Sequence, residues 1–466
     1  MRNCRQRAKY LIADFLSASV AWALFNVLRY YEVAAYIGFG SLGFYLNYPK
    51  VWAVQLCVPF FWLLLYYFSG YYNKPFGKSR LSEFFSTFLC VLLGTTLLFF
   101  LVLLNDLPRS FEVYYQLYFA LLGLQFVLTY LPRLCITLRG LSLSKREGWA
   151  LKVLIIGTGP RAEKIADSLS GLGYRILGFV NENKVEETTI PSEKCLGTTA
   201  DLPRLVPERQ ADEIIVATEV EGNDQRLRLL YSLYRYKCPI KLLADQSGLF
   251  SKVRLKTILG LPLVDVSDNN FSEMEKNIKL WGDKLAAAFA LLLLSPLFAY
   301  ISYKVKRGSP GPVLFKQERL GYGGRPFLMY KFRTMYVGSE EDEPLLAKAD
   351  DKRITPFGRL MRKYRLDELP QFWNVLRGDM SLVGPRPERR YFIEQIVKKA
   401  PYYYLLHNVR PGITSLGMVK YGYASSVDEM VERLEYDMLY YENMSLLLDL
   451  TILAYTVRTV VTGKGI

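Results

Sequence analysis

Histidine is almost missing: His407 is the single one in 466 residues. Its rarity excludes catalytic triads that lean on a second histidine, and His-rich metal sites. Cysteine is sparse as well. Six copies (Cys4, Cys57, Cys90, Cys135, Cys195 and Cys238) are scattered with no C-x-x-C pair. That speaks against zinc and against a disulfide framework, and suits reduced thiols facing cytosol or lipid. There is no basic arm or nucleic-acid motif, so nucleic acid is not an expected partner. No small-residue cleavage site follows the first apolar run, which sets it apart from a cleaved signal peptide. Chemistry must therefore rest on carboxylates, basic side chains and backbone.

What is abundant is apolar surface and positive charge. Hydrophobic residues make up 51% and charged residues 22%, with a mean hydropathy of +0.10. The chain is too apolar for a purely soluble enzyme and too charged to live wholly in lipid. Disorder is excluded, and membrane segments joined to soluble domains are expected. Lys plus Arg is 59 against 44 for Asp plus Glu, a net charge of +15. Such an excess suits an anionic membrane face or phosphorylated substrates.

Four apolar runs, at about 10–31, 49–70, 83–104 and 113–136, are each long enough to cross a hydrocarbon core of about 30 Å. Tyr30, Tyr31, Trp52, Tyr71, Tyr72, Tyr114 and Tyr115 sit near their ends, as an aromatic belt would. Arg2, Arg5, Arg7 and Lys9 precede the first run. Lys74, Lys78 and Arg80 separate the second from the third, and Arg133, Arg139, Lys145 and Arg146 flank the end of the fourth. The positive-inside rule then places the N-terminus and everything after residue 140 in the cytoplasm.

Strands and helices alternate over 151–265: strand 152–157, a helix through Leu169, then strands 175–180, 213–217 and 239–244, with helices between. This predicts a doubly wound parallel sheet. The first turn, Gly157-Thr-Gly159-Pro-Arg-Ala162, approaches the G-x-G-x-x-G/A pattern that lets a backbone meet a pyrophosphate at a helix N-terminus. Asn181 stands where a ribose-binding acid is expected, so two readings remain open: nucleotide binding, or a Rossmann-like fold kept for packing or oligomerisation.

A further apolar run of 19 residues, Leu285 to Tyr303, is broken at Ser295-Pro296. Lys276, Lys279 and Lys284 flank it on one side, with Lys304, Lys306 and Arg307 on the other. Proline inside a helix removes a hydrogen bond and kinks the axis. Basic residues on both flanks suit a helix that enters one leaflet and returns; a fifth spanning helix is the alternative.

Chemistry gathers after this hairpin. The chain reads KFRTM with Lys331 and Arg333, then RLDELPQ with Arg365, Asp367 and Glu368, then GPRPE with Pro385, Arg386, Pro387 and Glu388. Lys331, Arg333 and Arg386 can hold phosphoryl oxygens. Asp367 and Glu368 can supply a nucleophile and a hard-metal ligand, since Mg²⁺ takes one or two carboxylates beside substrate phosphates. Leu446–Val461 is apolar but interrupted by Asp449 and Arg458, and reads either as an amphipathic surface helix or as a buried core helix. His407 reads as a structural loop residue.

The run LDELPQFWNVLRGDMSLVGPRPE, with KFRTM and a Ser-Pro-broken membrane helix before it, closely resembles the bacterial sugar transferases, the monotopic phosphoglycosyl transferases. The catalytic resemblance covers about 275–466, and the four helices with a Rossmann-like domain resemble the large members. It implies a four-helix transmembrane domain (1–140), a Rossmann-like domain of CoA- or nucleotide-binding type (141–268), and an α/β catalytic domain (269–466) with a re-entrant helix at about 280–304. It implies transfer of a sugar-1-phosphate from a UDP-sugar to undecaprenyl phosphate with release of UMP, as the initiating step of exopolysaccharide, capsule or O-antigen synthesis at the bacterial inner membrane. Asp367 would attack the phosphorus bonded to the sugar and form a covalent intermediate, and Glu368 would help hold Mg²⁺. Pro385, Arg386 and Pro387 would lie by the nucleotide, and Lys331 and Arg333 match the family's basic pair. Arg365 and Glu388 join the expected substrate-binding set, and Gly157, Gly159 and Ala162 form the expected cofactor turn. Inner-membrane lipids and a second copy of the chain are further candidate partners. The competing class is a membrane-bound NAD-dependent nucleotide-sugar dehydratase or epimerase. For that class Tyr231 and Lys237 offer a catalytic pair only at the wrong spacing, and residues 275–466 would be idle.

Overall fold

The computed structural model describes residues 2–75, 80–106, 108, 110–144, 150–169, 174–182, 189–218, 223–236, 238–243, 255–258, 261–266, 269–338 and 351–462. Lys78, Lys145, Arg146, Lys237 and Ala244 lie outside them. The chain divides into two compact units: Met1–Leu151 with Leu169–Arg175 and Ser272–Asn277, and the remainder.

In the first unit, α1 (Arg2–Arg29) runs on through a π-turn, and the short α2 (Leu42–Leu46) precedes α3 (Pro49–Phe68), α4 (Arg80–Leu101) and α5 (Phe111–Ser144). Four of these helices, within Cys4–Ala34, Pro49–Phe68, Arg80–Asn105 and Phe111–Gly140, are long and apolar enough to cross a membrane. The aromatic rings of Trp22, Trp62 and Tyr66 fill the space between them. A Cβ on Gly94 of α4 would lie 2.3 Å from the Trp62 ring of α3, so a glycine is needed for that approach.

Polar groups are buried among these helices. Arg133 donates to both oxygens of Asp14 at 2.8 and 2.7 Å, and its guanidinium lies 4.0 Å from the Tyr66 ring centroid and 3.7 Å from that of Tyr71. Tyr72 also donates to Asp14 at 2.7 Å, and Glu83 accepts from Tyr71 and Thr137. Charge at this depth persists only when paired and hydrogen-bonded.

The second unit carries a sheet built from β1 (Leu151–Ile156), α6 (Pro160–Leu169), β2 (Tyr174–Asn181), β3 (Cys195–Thr198), α7 (Leu202–Arg209), β4 (Glu213–Val216), α8 (Asn223–Leu233), β5 (Ile240–Leu243), β6 (Leu255–Ile258) and β7 (Leu261–Asp265). The strand order is β3-β2-β1-β4-β5-β7-β6. Pairs β1–β4 and β4–β5 run parallel, as the alternation predicts, and the unpredicted β3 pairs parallel with β2. Beyond β5 the sheet is extended by the antiparallel pair β7–β6, which the sequence pattern does not announce. These strands are short and carry Lys256, Thr257 and Pro262, so no apolar run marks them.

Next come α9 (Glu273–Leu293) and α10 (Ser295–Gly308), bent by 63° at Leu294. Ala287 of α9, and Ile301 and Val305 of α10, pack into cores of the second unit, while Leu285, Phe289, Leu292 and Leu293 are exposed. The rest is the hairpin β8 (Leu314–Leu320) and β9 (Pro326–Phe332), α11 (Pro356–Lys363), α12 (Gln371–Arg377), β10 (Ser381–Val383), α13 (Arg390–Lys399), β11 (Gly412–Thr414), α14 (Leu416–Lys420), α15 (Val427–Glu442) and α16 (Leu446–Val461). Both readings of α16 have a side in the structure. Ile452 and Asp449 are buried, while Leu447, Leu450, Val457 and Val461 face outward.

Candidate active site

The hairpin β8–β9 is the floor of the site. Its antiparallel register, Phe315 opposite Lys331, presents Arg319 and Lys331. It is pinned by Asn374 of α12, which is fully buried. The Asn374 Oδ1 accepts the Tyr330 N–H at 3.1 Å and its Nδ2 donates to the Leu328 carbonyl at 2.7 Å.

The carboxylate pair sits on a single 3-10 turn, Leu366–Glu368, between α11 and α12. Arg365, just before it, takes a left-handed conformation (φ 54°, ψ 25°), which costs a non-glycine residue energy and recurs at functional sites. This kink turns Asp367 and Glu368 inward, and both are buried. Their surroundings differ. Glu368 Oε1 accepts from Lys331 Nζ at 2.8 Å and Arg386 Nη2 at 3.2 Å. Against the cost of burial, these cations hold the Glu368 carboxyl below the usual carboxylate range. Asp367 lines an open cavity of about 430 Å³. Burial, with Glu368 next door, pushes its carboxyl up although Lys331 opposes the shift.

Eight basic side chains line that cavity (Arg319, Lys331, Arg333, Arg353, Arg362, Arg386, Arg389 and Arg433) against the carboxylates of Asp367 and Glu388. The GPRPE segment reaches it through β10. The Gly384 N–H donates to the Thr414 carbonyl at 3.0 Å, and the Gly412 N–H to that of Pro385 at 3.0 Å. A Cβ on Gly384 would lie 2.3 Å from the Arg410 carbonyl oxygen, so the motif's glycine is required by this close backbone approach. Glu388 is fully engaged, accepting from Arg319 at 3.0 Å and Arg433 at 2.6 Å. The Arg386 N–H donates to Asp437 Oδ2 at 3.4 Å, and the Gly417 N–H to its Oδ1 at 3.0 Å.

Five of the expected residues, Lys331, Arg333, Asp367, Arg386 and Glu388, thus meet at one cavity, with Glu368 tied to it through Lys331 and Arg386. Arg333 also tethers β9 to the end of α10, where its Nη1 and Nη2 donate to the Pro310 and Ser309 carbonyls at 2.6 and 2.7 Å. Pro387 contributes its carbonyl, which accepts from Arg319 at 3.3 Å. Ser295 and Pro296 open α10 at the bend. Sequence reasoning missed Arg319, Arg362, Tyr423, Arg433 and Asp437. Arg433 and Asp437 are four apart on a helix reading VDEMVERLEYD, a pattern indistinguishable from a solvated charged face.

Gly157, Gly159 and Ala162 do not line this cavity. Gly157 (φ 124°) lies so close to β4 that a Cβ would sit 2.5 Å from the Ala217 carbonyl oxygen, and the Gly159 carbonyl accepts the Ala162 N–H at 3.0 Å. Sheet packing by itself therefore requires the first glycine. Tyr231 packs against Tyr402 with ring centroids 5.3 Å apart and the rings tilted by 54°. His407 lies edge-on to Tyr403 at 5.6 Å, away from the cavity lining.

For Mg²⁺ the donor set is two hard carboxylates beside a phosphate-suited cavity; among the described residues no group of three His, Cys, Asp or Glu side chains could hold a metal ion. Two carboxylates suffice where substrate phosphates complete the shell, so the residues fit.

Residues 274–463 match the bacterial sugar transferase family, and residues 67–244 match a CoA-binding domain. The UDP-N-acetylgalactosamine-undecaprenyl-phosphate N-acetylgalactosaminephosphotransferase of Aeromonas hydrophila is 47% identical over 188 residues, 40% of this chain and 44% of that protein. The UDP-glucose:undecaprenyl-phosphate glucose-1-phosphate transferase of Xanthomonas campestris pv. campestris is 36% identical over 331 residues, 67% of each chain. The chain belongs to the bacterial sugar transferase family. Along more of its length this sugar transferase is similar to the undecaprenyl-phosphate galactose phosphotransferase of Salmonella typhimurium, 29% identical over 439 residues, 88% of this chain and 86% of that one. The chain thus covers less than half of the Aeromonas protein and about two thirds of the Xanthomonas one. These relatives are named for three different sugars, and the dehydratase or epimerase class is not favoured by any of them.

Proposed function

We propose that this membrane protein transfers a sugar-1-phosphate from a UDP-sugar to undecaprenyl phosphate, releasing UMP, in two displacements. The observation that carries this reading is the division of the carboxylate pair: Asp367 opens on the cationic cavity while Glu368 is clamped by Lys331 and Arg386. An Asp367 oxygen attacks the phosphorus bonded to the sugar, a new P–O bond forms, and the bond to UMP breaks. The lipid phosphate then attacks the same phosphorus and frees Asp367. Both partners are anions, so Lys331, Arg362 and Arg386 offset their repulsion from the carboxylate. Glu368 would help hold Mg²⁺, which would neutralise phosphoryl charge when bound.

The acceptor phosphate cannot leave the headgroup plane, so the nucleophile must come to the membrane. The bent pair α9–α10 suits that requirement: it enters the cytoplasmic leaflet of the inner membrane, breaks at Ser295-Pro296 and returns. The reaction would begin the synthesis of an exopolysaccharide, capsule or O-antigen. UMP release from a panel of UDP-sugars with undecaprenyl phosphate, in nanodiscs, tests the reading. One sugar nucleotide should give Mg²⁺-dependent UMP; no UMP from any of them would overturn it.

A further inference from the structure

Tyr423 lies in the loop between α14 and α15, outside every motif of the sequence, and lines the cavity beside Asp367. Two guanidiniums share its ring. The Arg365 Cζ is 5.0 Å from the ring centroid and the Arg386 Cζ 5.1 Å, both within range of a cation–π contact. These arginines come from the two separate motif segments, one before the carboxylate turn and one in GPRPE. We propose that Tyr423 is a positioning residue of the transfer site, its ring holding Arg365 and Arg386 in place around the carboxylate pair. This inference rests on the transferase reading above.

The physical need for such a spacer is electrostatic. Lys331, Arg365 and Arg386 all bear on one clamped carboxylate, Glu368. That leaves positive charge in excess until a phosphoryl group arrives. Asp367 lies only two residues from Arg365 and opens on the cavity. An arginine free to swing would pair with Asp367 and mask the attacking oxygen. The aromatic face attracts both guanidiniums without carrying a charge, so it keeps them near the phosphoryl site and off the nucleophile. The loop that carries the ring is tied to the GPRPE segment. Asp437 accepts both the Arg386 and the Gly417 N–H, and the Gly422 N–H next to Tyr423 donates back to the Gly417 carbonyl at 3.1 Å. A Cβ on Gly417 would lie 2.8 Å from Arg433 Cγ, so this wall is closely packed.

The test compares Tyr423→Leu with Tyr423→Phe in the full chain. Removing the ring should lower kcat/KM for the UDP-sugar about 10- to 100-fold, mainly through KM; keeping the ring without its hydroxyl should restore it to within about threefold of wild type. A second measurement needs no turnover. Phenylglyoxal modification, read by mass spectrometry on the peptides holding Arg365 and Arg386, should be several-fold faster in Tyr423→Leu and unchanged in Tyr423→Phe. Unaltered KM and labelling in Tyr423→Leu would overturn the inference, and so would Tyr423→Phe behaving like Tyr423→Leu. If the wild-type chain releases no UMP, the transferase reading fails, and the labelling rates still decide whether the ring holds the two arginines.

Discussion

Asp367 and Glu368 are chemically almost the same and adjacent, yet their surroundings differ. Glu368 is neutralised by Lys331 and Arg386, while Asp367 lines the cavity and burial raises its carboxyl. The same sorting applies to Glu388, whose two oxygens are taken by Arg319 and Arg433 and leave Arg386 for Glu368. Asn374 shows how tightly this floor is fixed. Asn374→Leu would orphan the Tyr330 N–H and the Leu328 carbonyl, so it should destabilise the chain by about 1–3 kcal/mol. A thermal melt in detergent should register a clearly lower Tm; an unchanged Tm would show that the two bonds contribute nothing.

Among the elements, the bent pair α9–α10 carries the strongest positional claim. Its 63° bend follows from Ser295-Pro296, and its exposed Leu285, Phe289, Leu292 and Leu293 leave an apolar surface that water would not favour. In a cysteine-free background, Met274→Cys and Lys306→Cys should both react with a membrane-impermeant maleimide from the cytoplasmic side alone. Labelling from opposite sides would make the pair a spanning helix. Most long elements were legible in the sequence because their apolar periodicity is strong: the four spans, the parallel strands and the broken helix. The strands Cys195–Thr198 and Leu255–Ile258 were not, since CLGT and LKTI lack the apolar run that marks the equally short Glu213–Val216. The candidate site was legible as far as its motifs extend. Tyr423, Arg433 and Asp437 were not, because only tertiary packing brings them to Arg365, Arg386 and Glu388.

At the scale of the whole molecule, eight of the 59 basic side chains line one cavity, against the carboxylates of Asp367 and Glu388. Among the described residues the sheet of β1–β7 contributes nothing to that lining, and its first glycine is explained by packing against β4. A chain starting near Asn270 should therefore still release UMP in nanodiscs, with reduced stability because Tyr402 loses its Tyr231 partner. Complete inactivity of a folded, membrane-bound truncation would give the sheet a direct part in the chemistry. The proposed transfer is covalent and runs through Asp367. Wild-type enzyme given the UDP-sugar labelled in its sugar phosphate, without lipid acceptor, should release a stoichiometric burst of UMP and keep the label on the peptide containing Asp367. Asp367→Asn should lose both the label and, by several orders of magnitude, the turnover. A label on another residue, or no UMP until undecaprenyl phosphate is added, would contradict the account.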